Sequence, residues 1–341
     1  MILKGFVIAC FPFFQQCNQR RLLSEECLNE SIISGRSFAS GNVTLFDCSF
    51  SRLQYLSGNG GVIFLAASFI FRVYSCMFYS CLADFGGAIH ITVSDSQISM
   101  ICAHRCNGIQ YYHFGYLKAT GNNLVEYHSM SSCSNNSIGM MSLCTDYGDQ
   151  SLCNMNSSYN KGSHYSGIYM GNPSSLSGIH CTFYFNQPSG HSCITFIAYS
   201  GTLSFCNVVS NISPNGFGIV FVRSGAYYLK YCIFNNNSNT LFHVDANTLS
   251  VSDSFINHTG TKFIGAVTYS QNNTYIGLST YQQKFFKSFY CYADQPKNEI
   301  FQSSPYRSYD EKCEIHTEPV YIEQNRIGSV FSYSYLFLLN T

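Results

Sequence analysis

Two short clusters in this chain hold residue types that can do chemistry. Asp146 and Asp149 flank Tyr147-Gly148. Glycoside hydrolysis needs two carboxyl groups about 5–10 Å apart, one as acid and one as base or nucleophile. Cys102-x-His104-x-Cys106 sets three metal ligands at alternate positions, which a strand would turn to one side. Each cluster also has a plainer reading. Asp-Tyr-Gly-Asp is turn chemistry. Zinc takes four tetrahedral ligands, and both cysteines fall in a repeated, core-forming row. The other carboxylates of residues 43–270 are Asp47, Asp84, Asp95, Glu126, Asp245 and Asp253, and no two share a phase on adjacent repeats. A lyase would need such a group for Ca²⁺ and a base beside it. No Gly-x-Ser-x-Gly, His-Glu-x-x-His or phosphate-loop pattern occurs. We therefore assign no catalytic, cofactor-binding or metal residue from the sequence and expect no cofactor.

The elements that must position these residues repeat. A glycine before an aliphatic or aromatic pair recurs at Gly61, Gly87, Gly115, Gly139, Gly167, Gly218 and Gly265, with Cys193 and His243 standing in between. The intervals average about 26 residues. A second mark, Cys-x-Phe or a relaxed form, keeps step at Cys48, Cys76, Cys102, Cys153, Cys181, Cys206 and Cys232, and Asp253-Ser254-Phe255 continues it. A third lies three residues after the aromatic, at Asn186, Asn211 and Asn237, with Cys81 and Asn107 in the equivalent place. Segments such as Ala88-Ile89-His90-Ile91-Thr92-Val93 alternate and are β-branched, as strands are. A coil of this length cannot bury its own apolar face, so neighbours must stack. The fold class is all-β: a right-handed parallel β-helix of about nine coils of ~26 residues. Like residues then form ladders, and asparagine ladders bond one another and the backbone at the bends. A leucine-rich solenoid is disfavoured, because Leu is not the recurring residue.

Composition agrees. The 341 residues carry 18 basic and 18 acidic side chains, giving no basic face for nucleic acid. Hydrophobic residues make up 46% and supply a core. Seventeen cysteines admit two readings, a disulfide framework or buried small hydrophobes. In-register stacking holds Cβ atoms near 4.8 Å, beyond the roughly 3.5–4.5 Å of a disulfide. Cys48, Cys76, Cys102, Cys181, Cys206 and Cys232 are therefore expected to be mostly reduced core thiols. Cys291 and Cys313, outside the repeat, are better disulfide candidates.

Cys48-Ser49-Phe50 with Gly60-Gly61-Val62-Ile63, and Cys76-Met77-Phe78 with Gly86-Gly87-Ala88-Ile89, resemble the GGAI and FxxN repeats of polymorphic membrane proteins. The wider pattern, including Cys81 to Ile89 and Phe285 to Cys291, is similar to the trichomonad β-helix surface proteins of pectin-lyase-like fold. The resemblance covers roughly residues 43 to 290. It implies a surface protein, many relatives carrying a membrane helix near the C-terminus; membrane association here would need a segment absent from this chain.

Three parts follow. Residues 1–42 read as a leader or N-terminal cap, with an apolar run from Gly5 to Phe14. Residues 43–270 form the β-helix, and 271–341 a C-terminal cap and stalk-like tail. Eight glycosylation acceptors, Asn29, Asn42, Asn135, Asn156, Asn211, Asn236, Asn257 and Asn272, fit a secretory route. The expected function is a non-catalytic, extracellular or cell-surface scaffold for adhesion or display. Its expected partner is a host or extracellular glycan or protein, not nucleic acid. The alternatives are a carbohydrate-active enzyme, or a carbohydrate-binding module using Tyr111, Tyr112 and Tyr116.

Overall fold

In the computed structural model every described element is a strand. The described residues are 6–9, 36–37, 42–46, 48–66, 70–134, 139–197, 199–214 and 216–270. The proposed leader or cap of residues 1–42 and the tail of 271–341 lie almost wholly outside them, as do Cys291 and Cys313.

The strands pair in parallel into three long sheets of 11, 10 and 9 strands, here sheets A, B and C. One coil shows the plan. Ile89–Val93 lies in sheet B, Asp95–Ser99 in sheet A and Cys102–His104 in sheet C. Asn107–Gly108 then joins a short fourth ladder before the chain re-enters sheet B. The stack is a right-handed parallel β-helix of about eight full turns. The ninth glycine mark, Gly265, sits in a coil described only as far as Ser270.

Alternation places the core. In sheet B, Ile89, Ile91 and Val93 point inward and are buried, whereas His90 and Thr92 are partly exposed. Phe78, Phe183, Val208 and Phe234 occupy one inward row of sheet C. The corners either side of sheet C are single left-handed residues. Ser75, Met100, Tyr127, Asn154, His180, Phe205, Tyr231 and Asp253 form one column, with φ of 47–56°. Arg52, Ser80, Arg105, Ser132, Tyr159, Phe185, Ser210 and Asn236 form the second, with φ of 50–56°. L-residues avoid this region, so the stacked ladders on both sides must hold the bend.

Each corner column is followed by an inward row. After the first comes Cys48, Cys76, Ile101, His128, Met155, Cys181, Cys206, Cys232 and Ser254. Four of its thiols donate to the carbonyl two residues back: Cys76 to Tyr74 at 3.1 Å, Cys181 to Ile179 at 3.5 Å, Cys206 to Ser204 at 3.2 Å and Cys232 to Lys230 at 3.3 Å. The Ser254 hydroxyl does the same to Ser252 at 2.8 Å. Cys102 corrects the sequence alignment. Ile101, not Cys102, occupies the row; Cys102 and Cys153 are each in a disulfide, and not with one another. Cys48, Cys76, Cys181, Cys206 and Cys232 are buried, reduced thiols.

After the second column come Leu53, Cys81, Cys106, Cys133, Asn160, Asn186, Asn211 and Asn237. Here the carboxamides build a ladder. Each Oδ1 accepts from the backbone N–H one coil before: Cys133 to Asn160 at 2.9 Å, Asn160 to Asn186 at 3.1 Å, Asn186 to Asn211 at 2.9 Å and Asn211 to Asn237 at 2.9 Å. Each Nδ2 donates to a carbonyl on the preceding coil, such as Asn211 to Phe183 at 2.8 Å and Asn237 to Val208 at 2.7 Å. Two buried backbone groups per coil are thereby paired.

The glycine marks keep the period but not one register. Gly61, Gly87 and Gly218 share a row, whereas Gly115, Gly139, Gly167 and Gly265 are displaced from it. A Cβ at Gly61 would lie 2.2 Å from the Gly87 carbonyl, and one at Gly87 2.2 Å from that of His113. Backbone proximity demands glycine there. The drift begins at a register shift between Tyr112 and Gly115.

Candidate functional site

The three long sheets present different outer faces. The middle outward row of sheet A runs Thr44, Arg72, Gln97, Leu124, Ser151, Ser177, Thr202, Tyr228, Ser250 and Thr268, mostly hydroxylic from Ser151 on. Sheet B carries rings. Its main outward row runs Phe64, His90, Tyr116, Cys144, Tyr169, Thr195, Phe221 and His243. Beside it, where each coil enters the sheet, lie Tyr112, Tyr165, His191 and Phe217.

The two rows interlock. Tyr112 stacks on Tyr116 with centroids 4.6 Å apart, and His90 lies 5.0 Å from Tyr116. Tyr165 is 5.1 Å from both Tyr169 and His191. His191 approaches Phe217 at 3.9 Å, and Phe221 meets His243 at 5.2 Å. Cys144 and Tyr165 are buried beneath the partly exposed Tyr112, Tyr116 and Tyr169. Burial pushes the phenols of Tyr112, Tyr116 and Tyr169 up, with Cys144 and Asp146 adding to it, so all three keep their protons. Burial lowers the imidazoles of His90 and His191, His90 to about 4.

Along the far side runs a row with charge: Lys118, Asp146, Gly171, Ile197, Arg223 and Asp245. The Tyr116 hydroxyl donates to Asp146 Oδ2 at 3.0 Å, and Asn172 Nδ2 donates to Oδ1 at 3.1 Å. Lys118 Nζ sits 4.6 Å over the exposed Tyr147 ring. His243 Nε2 lies 3.0 Å from Asp245 Oδ1. Asn172 also lines a shallow depression at the corner toward sheet A, together with Tyr199, Ser224, Gly225, Asn247 and Thr248. The arrangement offers apolar ring surface beside fixed donors and acceptors, the two kinds of contact a sugar ring makes.

The sequence candidates fall as follows. Asp146 belongs to this face, whereas Asp149 opens the next strand and accepts from Ser175 Oγ at 2.8 Å. The two carboxylates thus serve different partners across a corner. Cys102, His104 and Cys106 do not converge: Cys102 is in a disulfide, His104 Nδ1 is 2.9 Å from Ser131 Oγ, and the Cys106 thiol donates inward to the Phe78 carbonyl at 3.5 Å. No group of three metal-ligating side chains occurs among the described residues. Of the three tyrosines named from sequence, Tyr112 and Tyr116 lie in the ring cluster, and Tyr111 stacks at its rim on Phe85. Sequence reasoning missed Tyr165, Tyr169, His191 and Phe221. Tyr169 and Phe221 each follow an inward aliphatic, Ile168 and Val220, by one residue, whereas Tyr165 and His191 carry no such mark. No protein-family model matches the chain, and neither a curated protein nor a solved structure matches it significantly.

Proposed function

We propose that this protein is a non-catalytic β-helix scaffold of the cell surface or extracellular space, of the kind its GGAI and FxxN repeats resemble, and that the outer face of sheet B binds glycan. One observation carries the binding part: rings interlock along one face of the stack, whereas the equivalent row of sheet A carries a single ring, Tyr228, among mostly hydroxyl side chains. Stacked phenyl, phenol and imidazole groups give a sugar's C–H surface something to lie on. Arg223 and the Asn172 carboxamide oxygen beside them meet hydroxyls. The non-catalytic part rests on the carboxylates, since Asp146 is committed to Tyr116 and Asn172. Export is supported by the exposed Asn-x-Ser/Thr acceptors Asn236 and Asn257 and by the disulfides at Cys102 and Cys153.

The test is affinity electrophoresis and calorimetry of the full chain against soluble polysaccharides and mucin-type glycans. The wild-type protein is expected to be retarded by at least one glycan. Tyr112→Ala/Tyr169→Ala should weaken that binding about tenfold while keeping the melting transition, on ring-contact values of about 1 kcal/mol. Binding by no glycan, or undiminished binding by the double variant, removes this reading.

A further inference from the structure

The eight Asn-x-Ser/Thr acceptors are alike in sequence, and the structure divides those it describes. Asn156 and Asn211 are 1% and 0% exposed. Asn211 is a rung of the asparagine ladder: its Oδ1 accepts from the Asn186 N–H at 2.9 Å, and its Nδ2 donates to the Phe183 carbonyl at 2.8 Å. A sugar on that nitrogen would break the ladder and has no space. Asn42 is half-buried, and its Oδ1 accepts from the Ile70 N–H at 3.3 Å. Asn236 and Asn257 are exposed.

We propose that Asn236, in Asn236-Asn237-Ser238, and Asn257, in Asn257-His258-Thr259, are N-glycosylation sites, and that Asn156 and Asn211 stay bare in the folded protein. The proposal rests on the export part of the preceding reading. The local geometry favours both positions. Asn236 is the left-handed corner residue of its coil, with φ of 52°, and the pairing register shifts around it. Such a kink aims a side chain outward. Asn257 pairs with Asn235, while its neighbour Ile256 pairs with the inward-facing Phe234, so Asn257 points away from the core. Their amide nitrogens make only surface bonds, Asn236 Nδ2 to Ser210 Oγ at 3.2 Å and Asn257 Nδ2 to Asn235 Oδ1 at 2.9 Å. A glycosylated carboxamide keeps one N–H, so each bond survives modification.

In the transfer, the carboxamide nitrogen attacks the anomeric carbon of a polyprenyl-pyrophosphate-linked oligosaccharide. The N–C bond forms as the C–O bond to pyrophosphate breaks. The amide proton passes to the transferase's base, and polyprenyl pyrophosphate leaves. Both sites lie on sheet C strands of adjacent coils, not on the ring-bearing face of sheet B, so the sugars leave that face clear.

The experiment secretes the full chain from a eukaryotic cell behind a heterologous leader and maps glycans by mass spectrometry of peptides and of the intact protein. Sugar is expected on Asn236 and Asn257, with Asn156 and Asn211 unmodified. Asn236→Gln and Asn257→Gln should each remove one glycan's mass without changing the melting transition. Bare Asn236 and Asn257 in the secreted, folded protein, or sugar on Asn211, overturns the proposal. The same mapping on protein from its own cells separates the two readings: a sugar-free intracellular chain there, alongside modification behind the heterologous leader, removes export and leaves the acceptor geometry standing.

Discussion

The two halves of the stack solve the same corner with different chemistry. In the row after the second left-handed column, the early coils after Leu53 use the thiols of Cys81, Cys106 and Cys133, and the later ones the carboxamides of Asn160, Asn186, Asn211 and Asn237. The thiols are soft donors, with Cys81 and Cys106 reaching carbonyls at 3.7 and 3.5 Å. The carboxamides both donate and accept, at 2.7–2.9 Å for the bonds from Asn186 to Asn237. The first half also holds the buried imidazoles His104, His113 and His128, whereas the later half buries none among the described residues. Position in the coil dictates small and inward-facing; it does not dictate which polar group. A thiol column is a packing solution with weak polar supplements, and a carboxamide column is a hydrogen-bonding solution that resists water.

Acid should separate the halves most strongly. Burial pushes His128 down to about 3 and His113 to about 4. Neither ring nitrogen of His128 makes a hydrogen bond of good geometry, and the Ile101 carbonyl opposes the shift without offsetting burial. His113 Nε2 lies 3.0 Å from the Gly139 carbonyl, and Nδ1 lies 2.9 Å from Asn107 Oδ1 and 3.4 Å from the Gly108 N. Both folded values lie below the unfolded value of about 6.5, so the fold prefers the neutral rings. Their contribution is complete above about pH 6.5 and is lost as pH falls toward 4, by roughly 3 kcal/mol for each ring. Hydrogen exchange at pH 4 should therefore open the coils around residues 101–141 before those around 186–237, and His128→Phe should shrink the difference. Uniform exchange across both halves would remove the distinction.

Truncation comes next. Asn211→Ala leaves the Asn186 N–H buried without a partner and takes one of two bonds from the Phe183 carbonyl, an expected loss of about 3 kcal/mol in urea unfolding. Cys106→Ala removes one thiol from an apolar stack and should cost about 1 kcal/mol. Equal losses would show that the carboxamides act only as filler.

The sequence made the fold legible because its period is set by what a coil must do. Inward aliphatics, small corner residues and an asparagine at the bend recur whatever the loops contain. The register was less legible. Cys102 passed for a row member since Ile101 beside it is equally apolar, and Gly115 passed for a bend glycine although His113 holds that place. The ring-bearing face was least legible. Tyr165 and Tyr169, His191, and Phe221 come from three successive coils with no common spacing to the cysteine mark, and only lateral pairing brings them together. The carboxylates behave in the opposite way: Asp146 and Asp149 are close in sequence, yet the corner at Tyr147-Gly148 sends them to different sheets.

The smallest effect tests whether the two columns are interchangeable. Cys133 is the last thiol, and its own N–H already donates to Asn160 at 2.9 Å. Cys133→Asn would extend the ladder by one rung. Its Oδ1 would face the Cys106 N–H, and its Nδ2 the Ala103 carbonyl, by the geometry Asn160 shows toward Cys133 and Met130. The gain is two hydrogen bonds of about 1 kcal/mol each, set against the extra atoms an asparagine brings into a packed corner. Similar terms of opposite sign should leave stability within about 1 kcal/mol of wild type, read by urea unfolding at pH 7. Cys106→Asn alone should do worse, because it places a carboxamide between two thiols and outside the ladder. If instead both variants unfold the protein, the thiol half is fixed by shape rather than polarity, and the columns are two separate packing solutions joined at Asn160.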